Sequence, residues 1–305
     1  MRVGDLDIDE LARQVQRPCG IDVCIGPFLV NLQLGLTALL PVLWRMWGDY
    51  PLAVPGQVRD FHVRLDHHGW LRRWWRPQAR FTVDGRSPFQ PLAAAHHFPM
   101  LEWGLNWCVA RRAHHLLMLH AAVLERGGRA LVLPGAPGAG KSTLCTALAH
   151  RGWRLLSDEF GLVAPQHGRL LPLPRPIPLK NDSIEVIRAF APEAEIGPAF
   201  TGTRKGTVAH VRPPRAAVMR MDEPATPAWV VFPRWQAEAP TRLEPLNRSD
   251  AFLMVAGNAF NYELCGEGGF ITVARLVERC RCYRLGYSDL DAALGVLGAL
   301  AETEP

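Results

Sequence analysis

Hydrophobic and polar positions change rhythm along this chain near residue 110. Before that point, short apolar runs alternate with turn signals: GPFLVNLQL (26–34), DFHVRLDHHGWLRRWW (60–75) and ARFTVDGRSPF (79–89). The alternation of Phe61, Val63 and Leu65 predicts a strand with one buried face, and Asp84-Gly85 after Phe81 and Val83 predicts a tight hairpin turn. FPMLEWGLNWCVARRAHH (98–115) carries apolar residues at helical intervals and predicts a helix leading into the second half. There, LLMLHAAVLER and RALVLPG flank Gly127-Gly128, the pattern of a β-hairpin whose second strand is buried on both faces. A helix from Gly140 to about His150 should follow, then strands in WRLLSDE (153–159) and FGLVAP (160–165). PLPRPIPLKND (172–182) is too rich in proline for a central strand and reads as an ordered loop. AWVVFPRW (228–235) and VERCRCYRLGY (277–287) read as further strands. Asn247 or Ser249 should cap a helix running through Asn258, and Ser288 should cap the last helix, from Asp289 to about Glu302.

This order of strand, loop, helix and strand suits a layered α/β fold around a sheet. With 305 residues there is room for two domains at about 150 residues each, divided here as 1–95 (a small α+β domain for recognition or assembly) and 96–305. Seven of the ten tryptophans lie before residue 110. Apolar residues make up 48% and charged residues 21%, which excludes a wholly disordered chain.

Net charge is +5, too small a surplus to argue for nucleic acid. The basic-aromatic cluster Leu71-Arg72-Arg73-Trp74-Trp75-Arg76 is short, and cation–π packing at a strand end accounts for it. The seven cysteines include no CxxC pair, and His67-His68, His96-His97 and His114-His115 are adjacent pairs that point to opposite faces in a strand. Reduced thiols and no metal cluster are therefore expected. The start MRVGDLDIDE is acidic, and the most apolar stretch, Phe28–Trp44, has 17 residues interrupted by Asn31, Gln33 and Pro41, short of the about 20 a membrane helix needs. A cytoplasmic protein with neither a membrane nor a nucleic-acid partner is the expectation.

Chemistry concentrates at Gly135-Ala136-Pro137-Gly138-Ala139-Gly140-Lys141-Ser142, followed by Thr143, which matches G-x-x-x-x-G-K-[ST]. Glycines let the backbone curl so that its N–H groups converge on phosphate oxygens, and the following helix adds its positive end. In such a loop Lys141 reaches the β- and γ-phosphates, and the Ser142 hydroxyl ligates Mg²⁺. An apolar strand before the loop and an Ala/Leu-rich helix after it complete the context, so ATP and Mg²⁺ are the expected ligands. Asp158 and Glu159 close the next apolar run, 17 and 18 residues beyond Lys141. A strand lying beside the loop's own strand would bring them to the metal and the γ-phosphate. One carboxylate can then hold Mg²⁺ while the other accepts the proton of an attacking hydroxyl. His120, in LMLHAAV, lies 21 residues before Lys141.

Together, His120, the 135–142 loop and RGWRLLSDE (151–159) resemble the catalytic domain of HPr kinase/phosphorylase, and more closely the HPr kinase-related kinase A group. The motifs shared with that group are Leu119-His120-Ala121-Ala122, the loop, Gly152 to Glu159, Pro176 to Asn181, Lys205 to Pro214, and Phe260-Asn261-Tyr262. The resemblance spans roughly 95–290. It implies a P-loop fold like that of HPr kinase and phosphoenolpyruvate carboxykinase, with the small α+β domain in front. It further implies ATP- and Mg²⁺-dependent transfer of a γ-phosphoryl group to a Ser or Thr hydroxyl of a protein or peptide. By the resemblance Lys141 binds phosphate, Ser142 and Asp158 hold the metal, Glu159 is the base, and His120 is the active-site histidine.

Two departures stand out. Glu159 is one methylene longer than the family's aspartate. Pro178-Leu179-Lys180-Asn181 stands where HPr kinases carry a metal-binding glutamate, so Lys180 would bring positive charge toward the phosphates. Arg212 is the counterpart considered for the family's late arginine near the transferring phosphate, and Phe260-Asn261-Tyr262 could line the pocket or pack in the core. HPr kinases form hexamers, which leaves a homo-oligomer open. Two alternatives also stay open: a small-molecule hydroxyl kinase, and a nucleotide-gated ATPase or binding module without phosphoryl transfer.

Overall fold

The alternation of Phe61, Val63 and Leu65 forms a strand, β3 (Phe61–His67), with these three side chains buried and the residues between them exposed. The computed structural model describes residues 1–54, 56–69 and 75–302. Within it β3 belongs to a five-stranded sheet with β1 (Ile21–Ile25), β2 (Phe28–Leu34), β4 (Gln78–Val83) and β5 (Leu92–Ala93), arranged in chain order. Asp84 and Gly85 make a two-residue turn with positive φ at both positions, closed by mutual backbone bonds between Val83 and Arg86. Helices α1 (Ile8–Gln16) and α2 (Leu40–Trp47) pack on this sheet. The apolar stretch from Phe28 is thus divided between a strand and a helix. Trp70 to Trp74 lie outside the described residues; next to them, Arg76 sits over the Trp75 ring at 5.4 Å.

The long helix α3 (His97–Arg112) leads into the hairpin of β6 (Leu117–Arg126) and β7 (Arg129–Pro134). Helix α4 (Lys141–Ala149) follows, then β8 (Arg154–Ser157), β9 (Phe160–Val163) and β10 (Leu170–Leu171). An eight-stranded mixed sheet joins these to β14 (Thr226–Trp235), β15 (Arg242–Pro245) and β16 (Arg281–Tyr287) in the order β10-β9-β6-β7-β14-β16-β15, with β8 also paired to β6. Strands β7, β14 and β16 run parallel. Alternate β7 residues serve opposite layers: Leu131 and Leu133 pack with α4 and α9 (Leu290–Glu302), while Ala130 and Val132 pack with α7 (Arg248–Gly257) and α8 (Gly266–Arg279). A third sheet holds β11 (Ile177–Lys180), β13 (Gly206–Val211) and β12 (Phe200–Thr203), with α5 (Ser183–Phe190) and α6 (Arg215–Met219) beside it. The chain is a mixed α/β protein with several sheets.

Three expectations change. The acidic strand β8 does not lie beside the loop strand β7; it pairs with β6, one position further out. Part of the proline-rich segment is a strand, β11, paired to β13 with Pro178 opposite His210. It is an edge strand of its sheet, where a missing N–H is tolerated. The last helix is capped by Asp289, whose carboxylate accepts from the Ala292 N–H at 2.7 Å, while the Ser288 hydroxyl donates to the Ala239 carbonyl.

One apolar core runs across residue 95, joining Val23, Leu43, Trp47 and Phe81 to Phe98, Met118, Phe160, Leu162 and Leu173. Among the described residues no helix is long and apolar enough to cross a membrane. All seven cysteines are free thiols, and no cluster of three His, Cys, Asp or Glu side chains among the described residues could hold a metal.

Candidate functional site

Strand β7 ends at Pro134 and the chain turns through Gly135–Gly140 into α4. Gly138 and Gly140 take φ of +87° and +86°, a conformation in which side chains are strained. Two contacts pin the loop from neighbouring strand ends. The Trp235 N–H donates to the Ala139 carbonyl at 3.2 Å, and the Tyr287 hydroxyl donates to the Gly140 carbonyl at 3.3 Å. Ala136, Pro137 and Gly138 are exposed at the tip, with Gly135, Ala139 and Gly140 half-buried. Lys141, the first residue of α4, is buried and donates from Nζ to the carbonyls of Gly135 and Ala136, the latter at 3.0 Å. Burial pushes its pKa down, and Asp158 opposes that. An anion entering the loop would offer this ammonium better oxygens than two carbonyls. Ser142 and Thr143 follow, half-buried, on the first turn.

Asp158 and Glu159 form the turn between β8 and β9, past the end of β8, and from there Asp158 reaches α4 despite the intervening β6. They serve different partners. Asp158 is buried; its Oδ2 accepts from the Ser142 hydroxyl at 2.8 Å, and its Oδ1 has no partner. Burial, followed by the charge of Glu159, pushes its pKa up to about 6, against the Ser142 hydrogen bond and the charges of Lys180 and Lys141. A buried acid with one free oxygen beside a hydroxyl fits a hard cation such as Mg²⁺, which takes one or two carboxylates and completes its shell with water and phosphate. Glu159 turns the other way, and its Oε2 accepts from the Asn106 carboxamide of α3.

His120, on β6, stacks its ring against Phe260, with centroids 5.3 Å apart, and Phe260 in turn meets Phe160 at 5.0 Å. Burial lowers the His120 pKa, and the nearby positive charges of Lys141, Lys180 and Lys205 add to this while Glu159 opposes it. The imidazole therefore lies within the field of the loop lysine and of Glu159. Lys180 ends β11, and Lys205, on the β12–β13 turn, holds its ammonium 5.7 Å from the Trp103 ring of α3. Of Phe260-Asn261-Tyr262, only Phe260 touches this group. Asn261 is buried, donating to the Leu116 carbonyl and accepting from the Met118 N–H, a brace for the start of β6.

Arg212 departs from its expected role beside the phosphates. Its guanidinium is engaged by Asp49 at 2.7 Å and Glu195 at 2.9 Å. Two carboxylates neutralise its charge and hold it against the end of α2, so a phosphate would have to displace both.

Sequence reasoning passed over Glu102, Asn106 and Arg175. Arg175 donates to Asn106 Oδ1, to the Glu102 carbonyl at 2.7 Å and to the Glu102 carboxylate at 2.5 Å. A signal was present: Glu102 and Asn106 stand four apart on a mostly apolar helix, on one face, and Arg175 is the lone charge among prolines. These residues line a cleft with Asp158, Glu159 and His210. His210 is buried with Nδ1 unpartnered, and burial followed by the charge of Arg175 pushes its pKa down to about 3, so it is neutral. The cleft holds about 20 Å³ of free space, room for about one water and far below the roughly 300–1,000 Å³ of a small-molecule pocket. No protein-family model and no curated protein matches the chain.

Proposed function

We propose that this chain is an ATP- and Mg²⁺-dependent kinase, similar to the HPr kinase-related kinase A group, that phosphorylates a Ser or Thr hydroxyl of a protein or peptide. The finer fold assignment, a P-loop domain of the HPr kinase and phosphoenolpyruvate carboxykinase kind, belongs to the same proposal. The observation that carries it is the meeting of Ser142 with Asp158 at the mouth of the loop, with Glu159 the next residue. The narrowness of the cleft beside Glu159 favours an acceptor that stays outside the protein over an engulfed metabolite. ATP as donor and seven free thiols suit the cytoplasm.

The reaction uses placement and charge more than covalent chemistry. Loop N–H groups and Lys141 bind the triphosphate and offset charge as it develops on the γ-phosphoryl group. Ser142 and Asp158 would hold Mg²⁺, which would supply positive charge to offset that of the phosphates. Glu159 accepts the proton as the acceptor oxygen bonds to the γ-phosphorus, the bond to the β-bridging oxygen breaks, and ADP departs. His120 and Lys180 add polar and positive groups around the same point.

The test is incubation of the full chain with γ-³²P-ATP, Mg²⁺ and arrays of Ser- and Thr-containing peptides. Acid-stable label on a hydroxyl residue, lost in Lys141→Ala and in Glu159→Gln, is the expected result. Free phosphate as the sole product on every peptide would favour the nucleotide-gated ATPase, and retained transfer in Glu159→Gln would remove that residue as base.

A further inference from the structure

Glu159 is held by a chain of hydrogen bonds that begins in the N-terminal half. Trp47, the last residue of α2, donates from Nε1 to Glu102 Oε1 at 2.9 Å. Glu102 pairs with Arg175, and both side chains are at least nine-tenths buried. Tyr50 holds the neighbouring backbone, its hydroxyl donating to the Pro174 carbonyl at 2.6 Å. Arg175 donates to Asn106 Oδ1, and Asn106 donates from Nδ2 to Glu159 Oε2. The direction of this chain is fixed by chemistry. A guanidinium has no acceptor, so the carboxamide oxygen must face Arg175 and its N–H must face Glu159. A flipped amide would set N–H against N–H on one side and oxygen against oxygen on the other.

A buried ion pair is an expensive way to hold a fold, because apolar residues of similar volume often do as well. Here the pair has a second effect: it presents one donor, in one orientation, to the carboxylate of Glu159, the residue after Asp158. We infer that Asn106 is a positioning residue for Glu159, oriented by Arg175 and Glu102, and that α2 of the N-terminal half anchors the set through Trp47. What Glu159 then does rests on the kinase reading; which groups hold it does not.

Two measurements on the full-length chain separate these. With asparagine labelled by ¹⁵N, the Asn106 side-chain amide protons should shift in Glu159→Ala and again in Arg175→Lys, whose single ammonium cannot reproduce the guanidinium fork. Signals indifferent to both substitutions would overturn the inference. With a peptide that the wild type phosphorylates, Asn106→Leu should lower kcat by about tenfold to a hundredfold, the cost of a misplaced group, leaving KM for ATP unchanged. In a Glu159→Asp background, which keeps a carboxylate base but draws it back from the Asn106 amide, it should add nothing to whatever transfer remains, whereas independent, additive losses would overturn the positioning role. Should Asn106→Leu fail to fold, Asn106→Asp keeps the shape and the Arg175 contact while setting a carboxylate against Glu159, and a kcat equal to wild type would count against the inference. If the wild type transfers no phosphate, the kinase reading fails, and the amide signals still decide whether the relay exists.

Discussion

Replacing Asp158 by asparagine should stabilise the nucleotide-free protein, by an amount that depends on pH. Burial and then the like charge of Glu159 raise the Asp158 pKa from an ordinary 3.8 to about 6, and one of its carboxylate oxygens lacks a partner. At about 1.4 kcal/mol per pH unit, that rise amounts to about 3 kcal/mol. The folded state holds the proton more tightly than the unfolded state. Between about pH 4 and 6 the native protein therefore carries the extra proton, and stability falls as pH rises through that window. Above it, the ionised side chain costs the full amount. Asparagine fills the same space, still accepts from Ser142 and carries no charge. The variant's advantage should be near zero at pH 4, grow through pH 5 and level off at up to about 3 kcal/mol by pH 7.5. Urea unfolding at these values, with EDTA and without nucleotide, measures it. A difference that does not vary with pH, or a variant less stable at pH 7.5, would refute the account of Asp158 as a strained acid waiting for a cation. On the proposed reading, ATP with Mg²⁺ should stabilise the wild type and should not stabilise this variant.

The loop and the histidine give further tests. An added Cβ at Gly140 would lie 2.4 Å from the Tyr287 hydroxyl, in a left-handed backbone, so Gly140→Ala should cost about 1–2 kcal/mol for the backbone and about 1 kcal/mol for the displaced hydrogen bond. In a Tyr287→Phe background the second part should vanish, and urea midpoints that show no such coupling would contradict the packing described. Removing the half-exposed Phe260 ring lets water reach His120, whose lowered pKa comes first from burial. In Phe260→Ala its titration midpoint, followed by ¹H NMR, should rise toward 6.5; an unchanged midpoint would mean that the lysine charges, not burial, set it.

Local chemistry was legible in the linear chain. The 135–142 loop is legible because phosphate binding, the role proposed for it, needs glycines, a lysine and a hydroxyl at fixed offsets, and those offsets are sequence-local. The β6–β7 hairpin, α3 and β14 were readable for the same reason: periodicity and turn residues act over a few positions. Helices α1 and α2 were not, since α1 buries only Leu11 and Val15 and α2 merges into an apolar run that begins as a strand. Pairing was decided in three dimensions. No local rule says that β8 joins β6, or that Asp158 and Glu159, adjacent in the chain, turn to α4 and α3. The same holds for Arg212, whose carboxylate partners Asp49 and Glu195 lie 163 and 17 residues away, and for Trp47, Glu102, Arg175 and Asn106, drawn together from three distant segments. Charge and hydrogen bonding act through space, so a buried guanidinium takes whichever carboxylate the packed core brings to it, and only the folded core determines which that is.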